Sequence, residues 1–298
     1  MLLATSVALT ACQTTAPASS TAGAAGEPIP VAASINAWGS VLSQLGGDRV
    51  QQTSIITNPA TDPHDYEPTP SDGRTIAISR LFVENGIGYD SWAAKSLAAD
   101  PDPVRQVVNV GTVTGIAAGG NPHRWYSPAD VEKVADAITA ALTKLDPAHA
   151  AYFRQRRTDF DTVALAPYHQ LIDTIRSRYA GTPIGASESI VSPLADALGL
   201  TMRTPASFLK AISDGTDPSA ADKRLIDAQI SRREIKVYVF NSQNSTPDVS
   251  AQVSAARRQG IPIVAVTETL SPAGATFQQW QVAQLHALQA ALHQATGR

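Results

Sequence analysis

Two histidines stand in loops that proline restrains, and each loop follows a predicted strand. His64 lies in the segment DPHDYEPTPSD (residues 62–72), and His123 lies in NPHRW (residues 121–125). A neutral imidazole is a common metal ligand, and ligands of open α/β sheets collect at the carboxyl ends of the strands. A single loop histidine is usually only solvated or hydrogen-bonded. Two Pro-His steps after two strands favour a shared target in one crevice.

Strands alternate with helical patterns along the chain, which is typical of α/β layers with mostly parallel strands. One helix is marked clearly, with Ser127 as its N-cap, Pro128 in its first turn and Asp130 placed to complete a capping box. The predicted strands cover residues 31–35, 52–56, 81–84 and 107–110 in a first lobe, and 183–186, 236–240 and 261–266 in a second.

A long helical pattern separates the two groups of strands. It runs over residues 146–180, with Pro167 inside it, so we expect a kink at that point. The interpretation is a first lobe over residues 29–145, an interlobe helix over 146–180 and a second lobe over 181–298, which ends in an amphipathic helix.

The composition excludes several classes of protein. The chain has 298 residues, of which 43% are hydrophobic and 16% charged, as in a globular protein. The formal net charge of −3 provides no basic field for a phosphate backbone, so nucleic acid is not an expected partner. The apolar run of residues 1–11 is too short to span a bilayer.

The single cysteine, Cys12, ends the run LTAC and is followed by a tract rich in Ser, Thr, Ala, Gly and Pro. This pattern resembles a bacterial lipoprotein signal over residues 1–12 and a flexible tether over 13–28, although no Lys or Arg precedes the apolar run. The alternative is an ordinary thiol. The lipoprotein interpretation predicts a body anchored by lipid at the extracytoplasmic face of the cytoplasmic membrane.

The two histidine loops resemble the metal-binding loops of the solute-binding proteins that serve zinc and manganese ABC importers. The segments QLGGDRV (residues 44–50) and VENG (residues 83–86) and the long helix extend this resemblance over about residues 29–294. It implies two α/β lobes joined by one rigid helix, with a metal ion between them. It also implies a receptor without enzymatic activity that delivers the ion to a permease driven by a separate ATPase.

The resemblance assigns two metal ligands to each lobe. His64 and His123 match the family's first two ligands, and Glu188 in SESI (residues 187–190) matches the third, a histidine or glutamate in the family. The fourth ligand is typically an aspartate, and this chain offers Glu268 in TETL (residues 267–270), which is one methylene longer. The alternatives are a capping or solvated Glu188 and a surface Glu268.

Two imidazoles and two carboxylates would neutralise one divalent cation. The family's zinc-type members usually have a third histidine and a His-rich loop, both of which this sequence lacks, so manganese or iron is favoured over zinc. The segment 241–245 (NSQNS) either supplies a hydrogen bond behind the ligands or is a plain polar loop. We expect a monomer. Alternatives are a metal-dependent hydrolase, with water in an open coordination position, and a surface adhesin.

Overall fold

The computed structural model describes residues 27–60, 62–244 and 246–298. Within them, eight strands form two sheets: β1 (Ile29–Ile35), β2 (Val50–Ile56), β3 (Leu81–Glu84), β4 (Gln106–Asn109), β5 (Pro183–Ala186), β6 (Thr201–Met202), β7 (Val237–Asn241) and β8 (Ile263–Val266). In the same residues, twelve α-helices surround the sheets: α1 (Asn36–Gly46), α2 (Pro70–Ile78), α3 (Ser91–Ala99), α4 (Val110–Thr114), α5 (Pro128–Leu145), α6 (Ala150–Asp159), α7 (Ala166–Tyr179), α8 (Ser192–Ala197), α9 (Ala206–Ser213), α10 (Ala220–Ser231), α11 (Pro247–Arg258) and α12 (Phe277–Thr296).

The two sheets have the same topology. The first has the strand order β2-β1-β3-β4 and the second β6-β5-β7-β8, and all pairs of neighbouring strands are parallel. The predicted α/β fold with mostly parallel sheets flanked by helices is therefore confirmed. The sequence did not reveal β6, because a strand of two residues is too short to show any periodicity.

Helix α5 begins where the sequence predicts. Pro128 is its first residue, and the Ser127 hydroxyl accepts the backbone N–H of Asp130. The prediction that Asp130 completes a capping box is wrong. The backbone N–H of Ser127 donates to the Arg124 carbonyl at 3.0 Å, and the Asp130 carboxylate accepts charge-assisted bonds from Arg124 Nε at 2.9 Å and Lys133 Nζ at 3.1 Å.

The segment between the sheets is helical but is not one uninterrupted α-helix. A π-helical turn, Phe160–Ala164, separates α6 from α7, and in it the N–H of Leu165 donates to the carbonyl of Phe160 at 2.8 Å. Pro167 explains this turn, because it has no N–H to donate and its ring crowds the preceding turn. The interruption therefore lies about one turn earlier than a kink at Pro167 itself.

One hydrophobic cluster runs through both halves of the molecule, the first built on β1–β4 and the second on β5–β8. Helix α12 connects them, because Phe277 packs edge-to-face against Tyr168 of α7 with centroids 6.2 Å apart, and its backbone N–H donates to Ser40 of α1 at 2.9 Å. Close to the junction, Trp280 of the same helix packs edge-to-face against Tyr126 with centroids 5.7 Å apart. The two halves therefore share a core.

In the part of the chain that the structure describes, every helix is too short or too polar to cross a membrane. The predicted lipid-attachment residue, Cys12, and residues 13–26 of the predicted tether lie outside the described residues.

Candidate metal centre

His64 lies in a short 3-10 turn that follows β2. Pro63 is the first residue of this turn, and the Asp62 carboxylate accepts the backbone N–H of His64 at 2.9 Å. Downstream, Tyr66 donates its hydroxyl to Asp72 at 2.7 Å, at the capped start of α2. The loop is thus held on both sides of the histidine, whose side chain keeps 19% of its surface exposed.

His123 follows β4 and α4 and is fully buried. Its backbone N–H and its ring Nδ1 both lie at hydrogen-bond distance from Asn121 Oδ1, at 3.0 and 2.9 Å. Because that oxygen can only accept, Nδ1 carries a proton, which leaves Nε2 as the nitrogen available to a metal ion. The aromatic ring of Trp125, also fully buried, stands edge-on to the imidazole with centroids 5.5 Å apart.

Glu188 follows β5 and is also fully buried. Its Oε2 accepts the Ser213 hydroxyl at 3.0 Å, whereas its Oε1 has no hydrogen-bond partner among the residues that the structure describes. A buried carboxylate oxygen without a partner is costly. A cation bound beside it would remove that cost.

Glu268 follows β8 and is fully buried, with donors on both of its oxygens. Tyr89 donates its hydroxyl to Oε2 at 2.7 Å, and the Asn241 side-chain amide donates to Oε1 at 2.8 Å. Tyr89 reaches this position from a turn in which Gly86 has a φ of +68°. A side chain at Gly86 would also lie 2.7 Å from Asn109, so only glycine fits there.

The structure brings all four predicted side chains together, with one ligand atom of each within 4.8 Å of the others. His64 Nε2 and His123 Nε2 are 3.2 Å apart, and each lies 3.6 Å from Glu268 Oε2. Ligands about 2.1 Å from an ion lie about 3.4 Å apart in a tetrahedral shell. The three atoms therefore have the spacing that a shared metal ion requires.

The two carboxylates have opposite pKa shifts. Burial, together with the charge of Glu268, raises the pKa of Glu188 to about 7. Burial alone would raise the pKa of Glu268 too, but His123, His64 and the Tyr89 hydroxyl outweigh it and lower that pKa to about 2. Burial and the Glu268 charge raise the pKa of Tyr89, which keeps its hydroxyl protonated as a donor.

A cleft of about 630 Å³ lies beside His64. Of the four predicted ligands, only His64 lines the cleft, together with Asp62, Tyr89, Ser213 and other residues. An ion that enters through this cleft would meet the His64 imidazole before the three buried side chains.

Residues 31–291 match the family model ZnuA, described as zinc-uptake complex component A, periplasmic. The chain belongs to this family. Family members are substrate-binding proteins of metal transporters, a class of receptors and not of enzymes.

The curated relatives that this chain matches have names that refer to different metals. The manganese-binding lipoprotein MntA of Halalkalibacterium halodurans is 29% identical over 125 residues, which are 41% of each chain. The iron-binding protein YfeA of Yersinia pestis is 32% identical over 124 residues, which are 39% of each chain. These alignments therefore span about two fifths of the length of either relative.

The fold of the family is also found among solved structures. A manganese-bound mutant of a periplasmic metal-binding protein from Candidatus Liberibacter asiaticus has a TM-score of 0.74 and 20% sequence identity. The match covers 88% of this chain and 98% of that one. At this level of identity the comparison supports the fold alone.

A second group of side chains that could hold a metal ion, Glu132, Asp161 and His169, lies apart from this site, at the surface. Ion pairs explain why these side chains lie together, because Arg157 pairs with Glu132, and His169 Nε2 lies 3.4 Å from the other oxygen of Glu132.

Sequence reasoning missed several residues that surround the four predicted ligands. Tyr89 and Ser213 contact them directly, and neither belongs to a motif that marks it as important. Asn121 stands in the NPHRW loop, but its hydrogen bond to the His123 ring was not predicted. Asn241 fits the first interpretation of residues 241–245, a hydrogen bond behind the proposed ligands, since its amide donates to Glu268. Only the three-dimensional arrangement could identify the contacts that Tyr89, Ser213 and Asn121 make with the proposed ligands.

Proposed function

We propose that this chain captures one divalent transition-metal ion between its two halves, with His64, His123, Glu188 and Glu268 as ligands. The convergence of these four side chains from loops after β2, β4, β5 and β8 carries the proposal. Three of them are fully buried, and Glu188 holds an oxygen without a partner among the described residues. Buried charges in proteins are paired or coordinate metals, and a divalent cation would balance both carboxylates.

Manganese or iron is the proposed physiological ion, ahead of zinc. The donor set has two imidazole nitrogens and two carboxylates and lacks thiolates, and carboxylate oxygens suit manganese well. The unpartnered Oε1 of Glu188 could serve as an additional oxygen ligand for a metal with more than four ligands. Relatives named for manganese and for iron are consistent with this order.

We propose that the chain binds and transfers the metal ion and does not hydrolyse a substrate. A catalytic zinc site keeps one coordination position open for water, with three protein ligands. Here a fourth protein group is already within reach of the other three. The family of metal-transporter substrate-binding proteins supports the same conclusion.

We extend the proposal to the cellular setting. The chain would work as a monomer outside the cytoplasmic membrane, tethered to it by lipid on Cys12, and would deliver the ion to an ABC permease with its ATPase. The family description, periplasmic, and the relatives named as lipoproteins support this location. Replacing Cys12 with Ser should move the protein from the membrane fraction to the soluble fraction. Unchanged fractionation would contradict the lipid anchor.

The test of the metal site is a measurement of bound ion followed by competition. Protein purified without chelator is analysed for its elements, then stripped and titrated with manganese, iron(II) and zinc. We expect one ion per chain and loss of tight binding in Glu268→Ala. Glu67→Ala is the matched control, because Glu67 is an exposed carboxylate in the loop of His64. Absence of a stoichiometric ion, or metal-dependent turnover of a substrate, would overturn the proposal.

A further inference from the structure

Asn121 contacts both halves of the proposed metal site through the two ends of one amide group. Its Oδ1 accepts the Nδ1 proton of His123 at 2.9 Å, and its Nδ2 donates to the backbone carbonyl of Ser189 at 2.7 Å. Because a carbonyl can only accept, this second bond fixes which end of the amide faces the histidine. Asn121 therefore determines the tautomer of His123 while holding the loop of Glu188.

The chain of hydrogen bonds continues beyond Ser189 to the other ligand. The backbone N–H of Ser189 donates to the Ser213 hydroxyl at 3.2 Å, and that hydroxyl donates to Glu188 Oε2 at 3.0 Å. His123 in the first half is thus connected to Glu188 in the second through Asn121, the backbone of Ser189 and Ser213. The carbonyl and the N–H of Ser189 belong to different peptide groups, so at this residue the connection is positional, through the covalent backbone. The Ser189 hydroxyl supports the same arrangement, since it lies 3.4 Å from His123 Nδ1 and 2.8 Å from the Ser213 hydroxyl.

We propose that Asn121 is a positioning residue that couples His123 to Glu188, so that metal binding and the contact between the two halves reinforce each other. This inference rests on the proposed function. A cation on Nε2 withdraws electrons from the imidazole and makes its Nδ1 proton a stronger donor. The polarised amide of Asn121 then donates more strongly to Ser189, because hydrogen bonds in a chain strengthen one another.

The first arm of the test is a double-mutant cycle on manganese affinity. Asn121→Leu removes both ends of the amide and should weaken binding by about 10- to 100-fold, as loss of a group behind a metal ligand does. Ser213→Ala breaks the connection near Glu188. If the connection couples the two ligands, the double variant should lose less affinity than the product of the single losses, by about threefold or more.

The matched control replaces another half-buried asparagine. Asn109→Leu removes a side chain that hydrogen-bonds to Glu84 and Thr112, and its effect should multiply with that of Ser213→Ala. Coupling in the control cycle as large as that with Asn121, independent effects of Asn121→Leu and Ser213→Ala, or an unchanged affinity in Asn121→Leu would each overturn the proposal.

The second arm separates the two ends of the amide and works without metal. Asn121→Asp keeps the acceptor for His123 but sets a carboxylate oxygen against the Ser189 carbonyl. We expect faster backbone hydrogen exchange in residues 187–191 for both Asn121→Asp and Asn121→Leu, and a smaller loss of manganese affinity for Asn121→Asp. Unchanged exchange in both variants, or equal losses of affinity, would contradict the assigned roles. If the parent bound none of manganese, iron(II) and zinc, the proposed function would fall, and exchange alone would decide whether Asn121 links the halves.

Discussion

Glu188 and Glu268 have the same side chain, follow strands of the same sheet and are both fully buried, yet their pKa values shift in opposite directions. Glu268 has a donor on each oxygen and faces two imidazoles, whereas Glu188 has the Ser213 hydroxyl on one oxygen and no hydrogen-bond partner on the other among the described residues. Residue type and burial are the same for both carboxylates, so they do not explain the difference. At Glu188 burial and the charge of Glu268 raise the pKa, whereas at Glu268 the imidazoles and the Tyr89 donor outweigh burial.

The first half of the molecule supplies much of this difference. The loop of Glu268 is held across the junction, because Tyr126 donates its hydroxyl to the Thr267 carbonyl at 2.8 Å and Asn36 accepts the N–H of Leu270 at 3.1 Å. Tyr89 comes from the same half. Glu268 is therefore an anion fixed in place before any cation arrives, whereas Glu188 takes up a proton near neutral pH when no cation is bound.

The largest expected effect is on metal affinity. Glu268→Ala should lower manganese affinity by more than about 100-fold, the upper range for loss of a group that only supports a ligand. Glu188→Ala should cost less, because part of the energy of binding at Glu188 goes into displacing a proton. Titration of both stripped variants measures this difference. Equal losses would show that the two carboxylates do not differ in the way their surroundings indicate.

The second prediction concerns stability. Manganese at about 100 times the parent's dissociation constant should raise the parent's free energy of unfolding by about 2.7 kcal/mol. At the same manganese concentration, each Ala substitution among the four ligands should reduce this gain. Without metal, Glu188→Gln should raise the melting temperature above pH 7, since it removes a buried charge that repels Glu268. Glu268→Gln should lower it, because the donors of Tyr89 and Asn241 lose their anion. Thermal unfolding at pH 8 distinguishes these outcomes.

The third prediction concerns pH. The pKa of Glu188 is raised from 4.5 to about 7 in the folded chain, so the metal-free protein should lose stability as pH rises through this range. Manganese affinity should increase over the same range, because the competing proton leaves. Glu188→Gln should reduce the slope of both curves between pH 5 and about pH 7, and the affinity curve should keep a slope because metal binding also requires deprotonated imidazoles. Glu268, with a pKa of about 2, stays ionised above its ordinary pKa of 4.5, so in that range it should add a constant amount to both curves and no slope. A Glu188→Gln variant with the parent's slope would show that another group is responsible.

The smallest expected effect tests the hydroxyl that crosses the junction. Tyr89→Phe removes one donor from Glu268 and should weaken manganese binding by up to about tenfold. Tyr179→Phe is the matched control, since its hydroxyl donates to the backbone carbonyl of Arg298 at 2.8 Å and not to a proposed ligand or its loop. If both variants bound manganese like the parent, the hydrogen bond from Tyr89 to Glu268 would not contribute to manganese affinity.

Much of the fold could be predicted from local patterns. The strand β3 is buried at all four positions and begins with an apolar run, and α5 carries its own start signal in Ser127 and Pro128. The place of the π-helical turn could not be predicted, because Pro167 disturbs the turn before it in a way that depends on packing. The four proposed ligands were predicted as residues, and their role in binding metal stays a prediction.

Local sequence was enough to establish the alternation of strands and helices and the two Pro-His loops, because these depend on neighbouring residues. Through its resemblance to a family it also indicated Glu188 and Glu268 as candidates. The charge state of these carboxylates and the groups that support them became evident only from the folded chain. Tyr89 and Glu268 are 179 residues apart, and Asn121 and Ser189 are 68 apart. A pKa and a hydrogen bond depend on distance in space, and no local pattern in the chain encodes which distant side chains will meet.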